Sequence, residues 1–202
     1  MKTGSLCTGY SGLELGAAAY FDIDLQWVAD NDSDAAVALA EHHPGVLNLG
    51  DIKEVDWSRV TPVELLLLGF PCPDVSSAGR RAGLQPGNRS GIWSHCAYAI
   101  GVLRPQLILV ENVKGLLSAR AHSDVEPCPW CMGNATDRIL RALGAVLGDL
   151  ATLGYDAEWE TLSASDAGCC HPRDRVFIVA WPRAAEDTDS PAGDQRREPA
   201  SV

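Results

Sequence analysis

No stretch of this 202-residue chain approaches the run of about 18 apolar residues that a membrane-spanning helix requires. The first residues, MKTGSLCTGYSG, also lack the long apolar segment of a secretory signal, so the expectation is a cytoplasmic protein that does not enter a membrane. Basic charge is scarce, with 16 Lys and Arg against 27 Asp and Glu and a formal net charge of -11. A broad phosphate-gripping face is therefore not expected, and any contact with nucleic acid must rely on arginines concentrated locally. The seven cysteines are odd in number and irregularly spaced, which argues against a disulfide scaffold. In a reducing compartment they read as thiols, a metal-binding pair and a nucleophile.

With 46% hydrophobic residues, the chain has ample material for one core. The stretch 65–77, LLLLGFPCPDVSS, organises it: four leucines and a glycine predict a strand buried on both faces, and the run breaks into Phe70-Pro71-Cys72-Pro73. Cys72 thus falls at the carboxyl end of a central strand, the edge at which open parallel sheets bind ligands. The alternative is a space-filling thiol. Arg80, Arg81 and Arg89 follow in a polar, glycine-rich segment predicted to be a mobile loop, where they could grip phosphates or simply stay solvated.

Before that strand, residues 3–20 predict a strand, a turn through Thr8, Gly9, Tyr10 and Ser11, and a helix from about Gly12. A second strand, 25–29, ends in Asp30-Asn31-Asp32 and leads into a helix reaching about His42. An acidic residue about twenty positions past a glycine turn can accept both hydroxyls of a ribose, which suggests a nucleoside-containing cofactor. A short third strand near 46–49 ends at Gly50-Asp51-Ile52. Asp51 there could accept from an adenine amino group and Ile52 pack on the ring, or Asp51 could be a plain turn residue. After the mobile segment come a helix over 91–103 and an apolar strand, 106–110, that ends in Glu111-Asn112-Val113. Glu111 joins Cys72 at the same edge, where partial desolvation could keep its carboxyl protonated.

In these ordered motifs the chain resembles the cytosine-C5 DNA methyltransferases. LCTGYSGLELG resembles their first cofactor motif, with Cys7 where phenylalanine is usual and Ser11 where glycine is. Asp30 matches the ribose-binding acid, Asn31 the residue beside the adenine, and Asp51-Ile52 the adenine-edge pair. Gly69-Phe70-Pro71-Cys72 matches the nucleophile motif, with Pro73 for the usual glutamine, and Glu111-Asn112-Val113 the motif that holds the target base. Residues 171–179, HPRDRVFIV, resemble a motif of two arginines entering a strand, with His171 for its glutamine. The resemblance implies a doubly wound, mostly parallel, Rossmann-like S-adenosylmethionine-dependent methyltransferase sheet with helices on both faces, acting on double-stranded DNA. Cys72 would attack C6 of a flipped cytosine and Glu111 would bond N3 and the amine. Arg173 would hold the Glu111 carboxylate or the loop, and Arg175 would touch the base carbonyl.

The remaining segments are less regular. Residues 118–136 predict a polar insertion whose Cys128 and Cys131 could seat a zinc ion; with no second such pair, two reduced thiols are the plainer reading. Asp137 is expected to cap a helix over 138–153, followed by strands over 155–162 and 175–181 that the resemblance implies are antiparallel. Residues 1–183 are read as one catalytic domain and 184–202 as a disordered tail. A target recognition domain would begin in that tail. Its absence leaves three readings open: a catalytic domain completed by a separate chain, an inactive cofactor-binding module, or an enzyme acting on RNA cytosine.

Overall fold

A computed structural model describes residues 1–71, 91–118, 120–121 and 140–184. They form an α/β layer structure around a seven-stranded sheet. The chain runs β1 (Lys2–Leu6), α1 (Gly12–Ala18), β2 (Asp24–Ala29), α2 (Ser33–His42), β3 (Leu47–Asn48), β4 (Leu65–Leu68), α3 (Ile92–Leu103), β5 (Leu107–Val113), β6 (Arg120–Ala121), β7 (Leu140–Arg141), α4 (Ala142–Thr152), β8 (Tyr155–Ser163) and β9 (Asp174–Pro182). The sheet order is β3-β2-β1-β4-β5-β9-β8. The first five of these strands are parallel, whereas β9 runs antiparallel to both β5 and β8. The expected doubly wound, mostly parallel sheet is what forms. The chain leaves β1 toward one side and returns through β4 on the other, so the crevice between their carboxyl ends is the switch point at which such sheets bind ligands.

The four leucines of β4 are fully buried because each sheet face has its own cover. Leu66 and Leu68 join Ile108 and Val110 under α3 and α4, in a core that includes Trp93, Ile100, Val146 and Leu150. Leu65 and Leu67 face the other way, with Ala17 of α1 and the partly buried Leu13 and Phe21. Trp93 Nε1 donates to Asp149 Oδ2 at 2.7 Å, tying α3 to α4. No helix of the described residues is long and apolar enough to cross a membrane.

The centre of the sheet is packed without slack at Gly4. A Cβ there would lie 2.3 Å from the Trp27 ring, which is buried and packs on Trp57 with ring centroids 5.6 Å apart. Gly4→Ala is therefore expected to destabilise the fold by about 2 kcal/mol, read as a lowered denaturant midpoint, because a buried indole must shift to admit the methyl group.

Two expectations are corrected. The helix predicted over 138–153 begins only at Ala142: Leu140 and Arg141 instead pair antiparallel with Ala121 and Arg120. Apolar spacing cannot separate the two outcomes, since the pairing depends on a partner twenty residues away. The strand expected to end before Glu111 continues through Glu111, Asn112 and Val113, because β9 supplies hydrogen-bonding partners past the point where β4 stops.

Candidate active site

The loop after β1 is built from an alternation of left-handed residues, with φ of 52° at Cys7, 57° at Gly9 and 64° at Ser11. Gly9 bears no Cβ, and a Cβ placed there would meet nothing within 4 Å, so its backbone fronts open space. Its N–H donates to Asp30 Oδ2 at 2.8 Å, while Asp30 Oδ1 accepts from the N–H of Asp32 at 2.9 Å. Asp30 therefore props the turn from the end of β2. Each oxygen has a second lone pair free for a diol such as a ribose.

Next to it, Asn48 joins the ends of β2 and β3: its Oδ1 accepts from the N–H of Asp30 and of Gly50, and its Nδ2 donates to the Asp30 carbonyl. Sequence reading missed this residue; an asparagine closing a two-residue strand was its only signal. Asn31 Nδ2 donates to Asp51 Oδ2 at 3.2 Å, and Asp51 Oδ1 also accepts from the N–H of Lys53. Asp51 is thus a turn residue as well as a member of the cleft rim. Ile52 is 4% exposed and belongs to the core beneath, so only its edge can reach a ligand. The donor and acceptor set of Gly9, Asp30, Asn31 and Asp51, with open space over Gly9, Gly12 and Gly50, fits an adenosyl cofactor.

On the other flank of the switch point, Gly69 N–H donates to the Leu6 carbonyl, and a Cβ on Gly69 would lie 3.1 Å from the Cys7 carbonyl oxygen. A side chain here would press the loops after β1 and β4 apart by a few tenths of an ångström. Asn112, buried but with a partner at each side-chain polar atom, donates from Nδ2 to the Phe70 carbonyl at 3.0 Å and accepts at Oδ1 from the N–H of Val113. Phe70 in turn packs on Trp93 of α3, with ring centroids 5.2 Å apart. The segment carrying Cys72 thus leaves at Pro71, which is exposed, and rejoins the described chain at Gly91, with both ends anchored on one aromatic pair. Cys72, Arg80, Arg81, Arg89, Cys128 and Cys131 lie outside the described residues. Among the described residues, no group of three His, Cys, Asp or Glu side chains is placed to hold a metal ion.

At the same edge, Glu111 pairs with Arg175, Nε to Oε1 at 2.6 Å. The pairing follows from register: Arg175 opposes Val113, two residues from Glu111 on the same face, so the two side chains meet diagonally across β5 and β9. Of the two roles expected for Arg173, holding the carboxylate falls to Arg175 instead, and the other, holding the loop after Cys72, concerns residues outside the described ones. Arg173 precedes β9 and is exposed, and it makes no ion pair among the described residues. Glu111 is half-buried, as a partly desolvated carboxyl at this edge would be, and it is held in an ion pair.

Two features beneath the turn were not anticipated. Cys7 packs against the core cluster that holds Cys96 of α3, and its thiol and then burial push the fully buried Cys96 thiol well above its ordinary value, which leaves it inert as a nucleophile. Glu14, on the inner face of α1, is 2% exposed, with Oε1 accepting from Ser5 and Oε2 without a partner. Burial raises its pKa above 4.5, a rise opposed chiefly by the bond from Ser5. Because the folded value lies above the unfolded one, protonation favours the fold. The stability this contributes is complete below the unfolded carboxyl range and declines as pH rises toward the folded pKa. Glu14→Gln is expected to stabilise the protein at pH 8 relative to wild type and to flatten the fall in Tm between pH 5 and pH 8, as followed by thermal unfolding.

Comparison with known proteins agrees with this geometry. Residues 1–200 match the family model of the C-5 cytosine-specific DNA methylases. Curated relatives include the type II methyltransferase M.DsaV of Dactylococcopsis salina, 34% identical over 68% of this chain and 34% of its own. Another is M.Bsp6I of a Bacillus species, 28% identical over 90% of this chain and 52% of its own. Among solved structures, a prophage-encoded E. coli protein assigned as a DNA modification methyltransferase superposes with a TM-score of 0.64 at 20% identity, covering 90% of this chain and 47% of that one. The S. pombe Dnmt2 methyltransferase does so with a TM-score of 0.61 at 18% identity, covering 92% and 50%. This chain spans a third to a half of the length of the curated relatives it matches. Its sheet and the family match over residues 1–200 lead to one assignment: the chain belongs to the C-5 cytosine-specific DNA methylase family.

Proposed function

We propose that this chain is the catalytic half of a DNA cytosine-C5 methyltransferase that uses S-adenosylmethionine and works on a cytosine flipped out of a DNA duplex in the cytoplasm. The observation that carries the reading is the junction of two motifs distant in sequence: Asn112 holds the Phe70 carbonyl at 3.0 Å, two residues before Cys72, and adjacent Glu111 is held by Arg175.

Gly9, Asp30, Asn31 and Asp51 would hold the adenosyl and ribose portions of the cofactor. When bound, the cofactor supplies an electrophilic methyl group. Cytosine C5 is too weak a nucleophile to take it unaided, and the chain's own residues remedy that. The Cys72 thiolate adds to C6 and converts the ring to an enamine. Glu111 bonds N3 and the exocyclic amine, where charge develops as sulfur adds, and Arg175 fixes the carboxylate in place. Loss of the C5 proton to a base then expels the thiolate. A free thiol of pKa about 8.5 is only a few per cent ionised at neutral pH, so Arg80, Arg81 and Arg89 are placed in sequence to favour the thiolate or to meet DNA phosphates. Most base-edge contacts would come from a recognition half, carried on the same polypeptide or on a separate chain.

The test is incubation with duplex DNA containing 5-fluorocytosine, with and without S-adenosylmethionine, a fluorinated RNA duplex serving as the competing substrate. Fluorine at C5 cannot leave as a proton does, so a covalent adduct that needs the cofactor and prefers DNA is the expected result. Absence of adduct even with a supplied recognition half refutes the proposal.

A further inference from the structure

The cofactor turn has a support that its backbone alone does not explain. Ser11 occupies the position just before α1 with φ 64° and ψ 28°, a conformation an L-residue other than glycine adopts at a cost. Its hydroxyl does not cap α1. Instead, Ser11 Oγ lies 2.7 Å from Nε2 of His43, the residue that closes α2, thirty-two positions along the chain. Ser11 is fully buried, so the pair cannot serve as an exposed nucleophile and its base.

The other end of the turn is held by a second line of polar groups, since Thr8 Oγ1 donates to Ser5 Oγ at 2.9 Å and Ser5 Oγ donates to Glu14. Residues 8 to 11 are therefore clamped from both ends, with the Gly9 N–H held in the middle by Asp30.

We propose that His43 is a positioning residue for cofactor binding. Its imidazole locks Ser11 in the left-handed conformation and so keeps the Gly9 backbone aimed into the cleft, a task that glycine at position 11 would perform without help. The inference rests on the adenosyl-cofactor reading above. Once the imidazole is gone, Ser11 relaxes toward negative φ, and part of the binding free energy goes into restoring the turn.

The test is a mutational cycle on the full chain, with S-adenosylhomocysteine binding followed by calorimetry and ligand-free thermal unfolding measured alongside. His43→Ala is expected to weaken binding about 5- to 10-fold, and Ser11→Ala, which lacks the hydroxyl at the same positive φ, to match it. Adding Ser11→Gly to His43→Ala should recover affinity to within about 2-fold of wild type and recover part of the lost Tm, which loss of helix packing at His43 would not allow. Wild-type affinity in His43→Ala overturns the inference, as does a double variant no tighter than His43→Ala. A wild-type chain that binds no S-adenosylhomocysteine overturns the cofactor reading itself, and this inference with it.

Discussion

Cys72→Ala is expected to abolish the covalent adduct with 5-fluorocytosine DNA and to lower methyl transfer by a factor of about 10⁴ or more, with cofactor affinity unchanged. The magnitude follows from what the sulfur does. Without addition at C6 the ring never becomes an enamine, and among the described residues Cys96, Cys169 and Cys170 offer no replacement. Cys96 is fully buried and its thiol is pushed well up by Cys7, while Cys169 and Cys170 are exposed at the turn before β9. Cys72→Ser separates nucleophilicity from shape: a hydroxyl of nearly the same size ionises far less readily, so it should be almost as inactive as alanine. Binding of S-adenosylhomocysteine provides the control, because the cleft proposed for the adenosyl group lies on β1, β2 and the segment after β3. A Cys72→Ala protein that still forms adduct, or loses cofactor binding to the same degree as activity, contradicts the assignment of the nucleophile.

Much of this was legible because the strongest signals are local. Four leucines with no polar residue between them, bounded closely by Gly69 and Pro71, read as a strand covered on both faces rather than a longer helix, and the abrupt turn after them marks the sheet edge. The acids at Asp30 and Asp51 were legible for the same reason, as strand-closing residues after short apolar runs. What the sequence could not convey depends on register between distant strands. Arg173 and Arg175 are two apart, a spacing that places both on one face of an extended chain. Only the pairing of Val113 with Arg175, and the start of β9 at Asp174, decide which guanidinium reaches Glu111. The line from Thr8 through Ser5 to Glu14 was hidden differently. A glutamate in the first turn of a helix ordinarily reads as a favourable solvated charge, and the available hint was that Glu14 and the buried Ala17 are three apart and share the inner face of α1. Ile52 was read for its chemical fit to an adenine ring, whereas its burial is set by the core below it.

The Glu111 and Arg175 pair carries the second large effect. Glu111→Gln keeps the size and one acceptor of the side chain but cannot take the proton or bear the charge that offsets thiolate addition, so the rate of adduct formation should fall by about 10²- to 10³-fold. Arg175→Ala should cost somewhat less, about 10- to 100-fold, because the carboxylate survives but loses the group at 2.6 Å that fixes its direction. Arg175→Lys distinguishes charge from geometry. A lysine restores the positive charge without the planar fork, so recovery to wild-type rates would mean that charge alone matters, whereas a rate near that of alanine would mean that orientation does. The effects must also be non-additive. If the arginine acts only through the carboxylate, the double variant Glu111→Gln/Arg175→Ala should be no slower than Glu111→Gln within about 2-fold. Multiplied losses would instead mean that Arg175 touches the base independently, as the sequence alone suggested. Cofactor affinity is expected to stay at the wild-type level in all four variants, because neither residue contributes to the adenosyl cleft. A parallel loss of cofactor binding would mean that the β5 and β9 edge had been disturbed as a whole, and the catalytic assignment of the pair would fail.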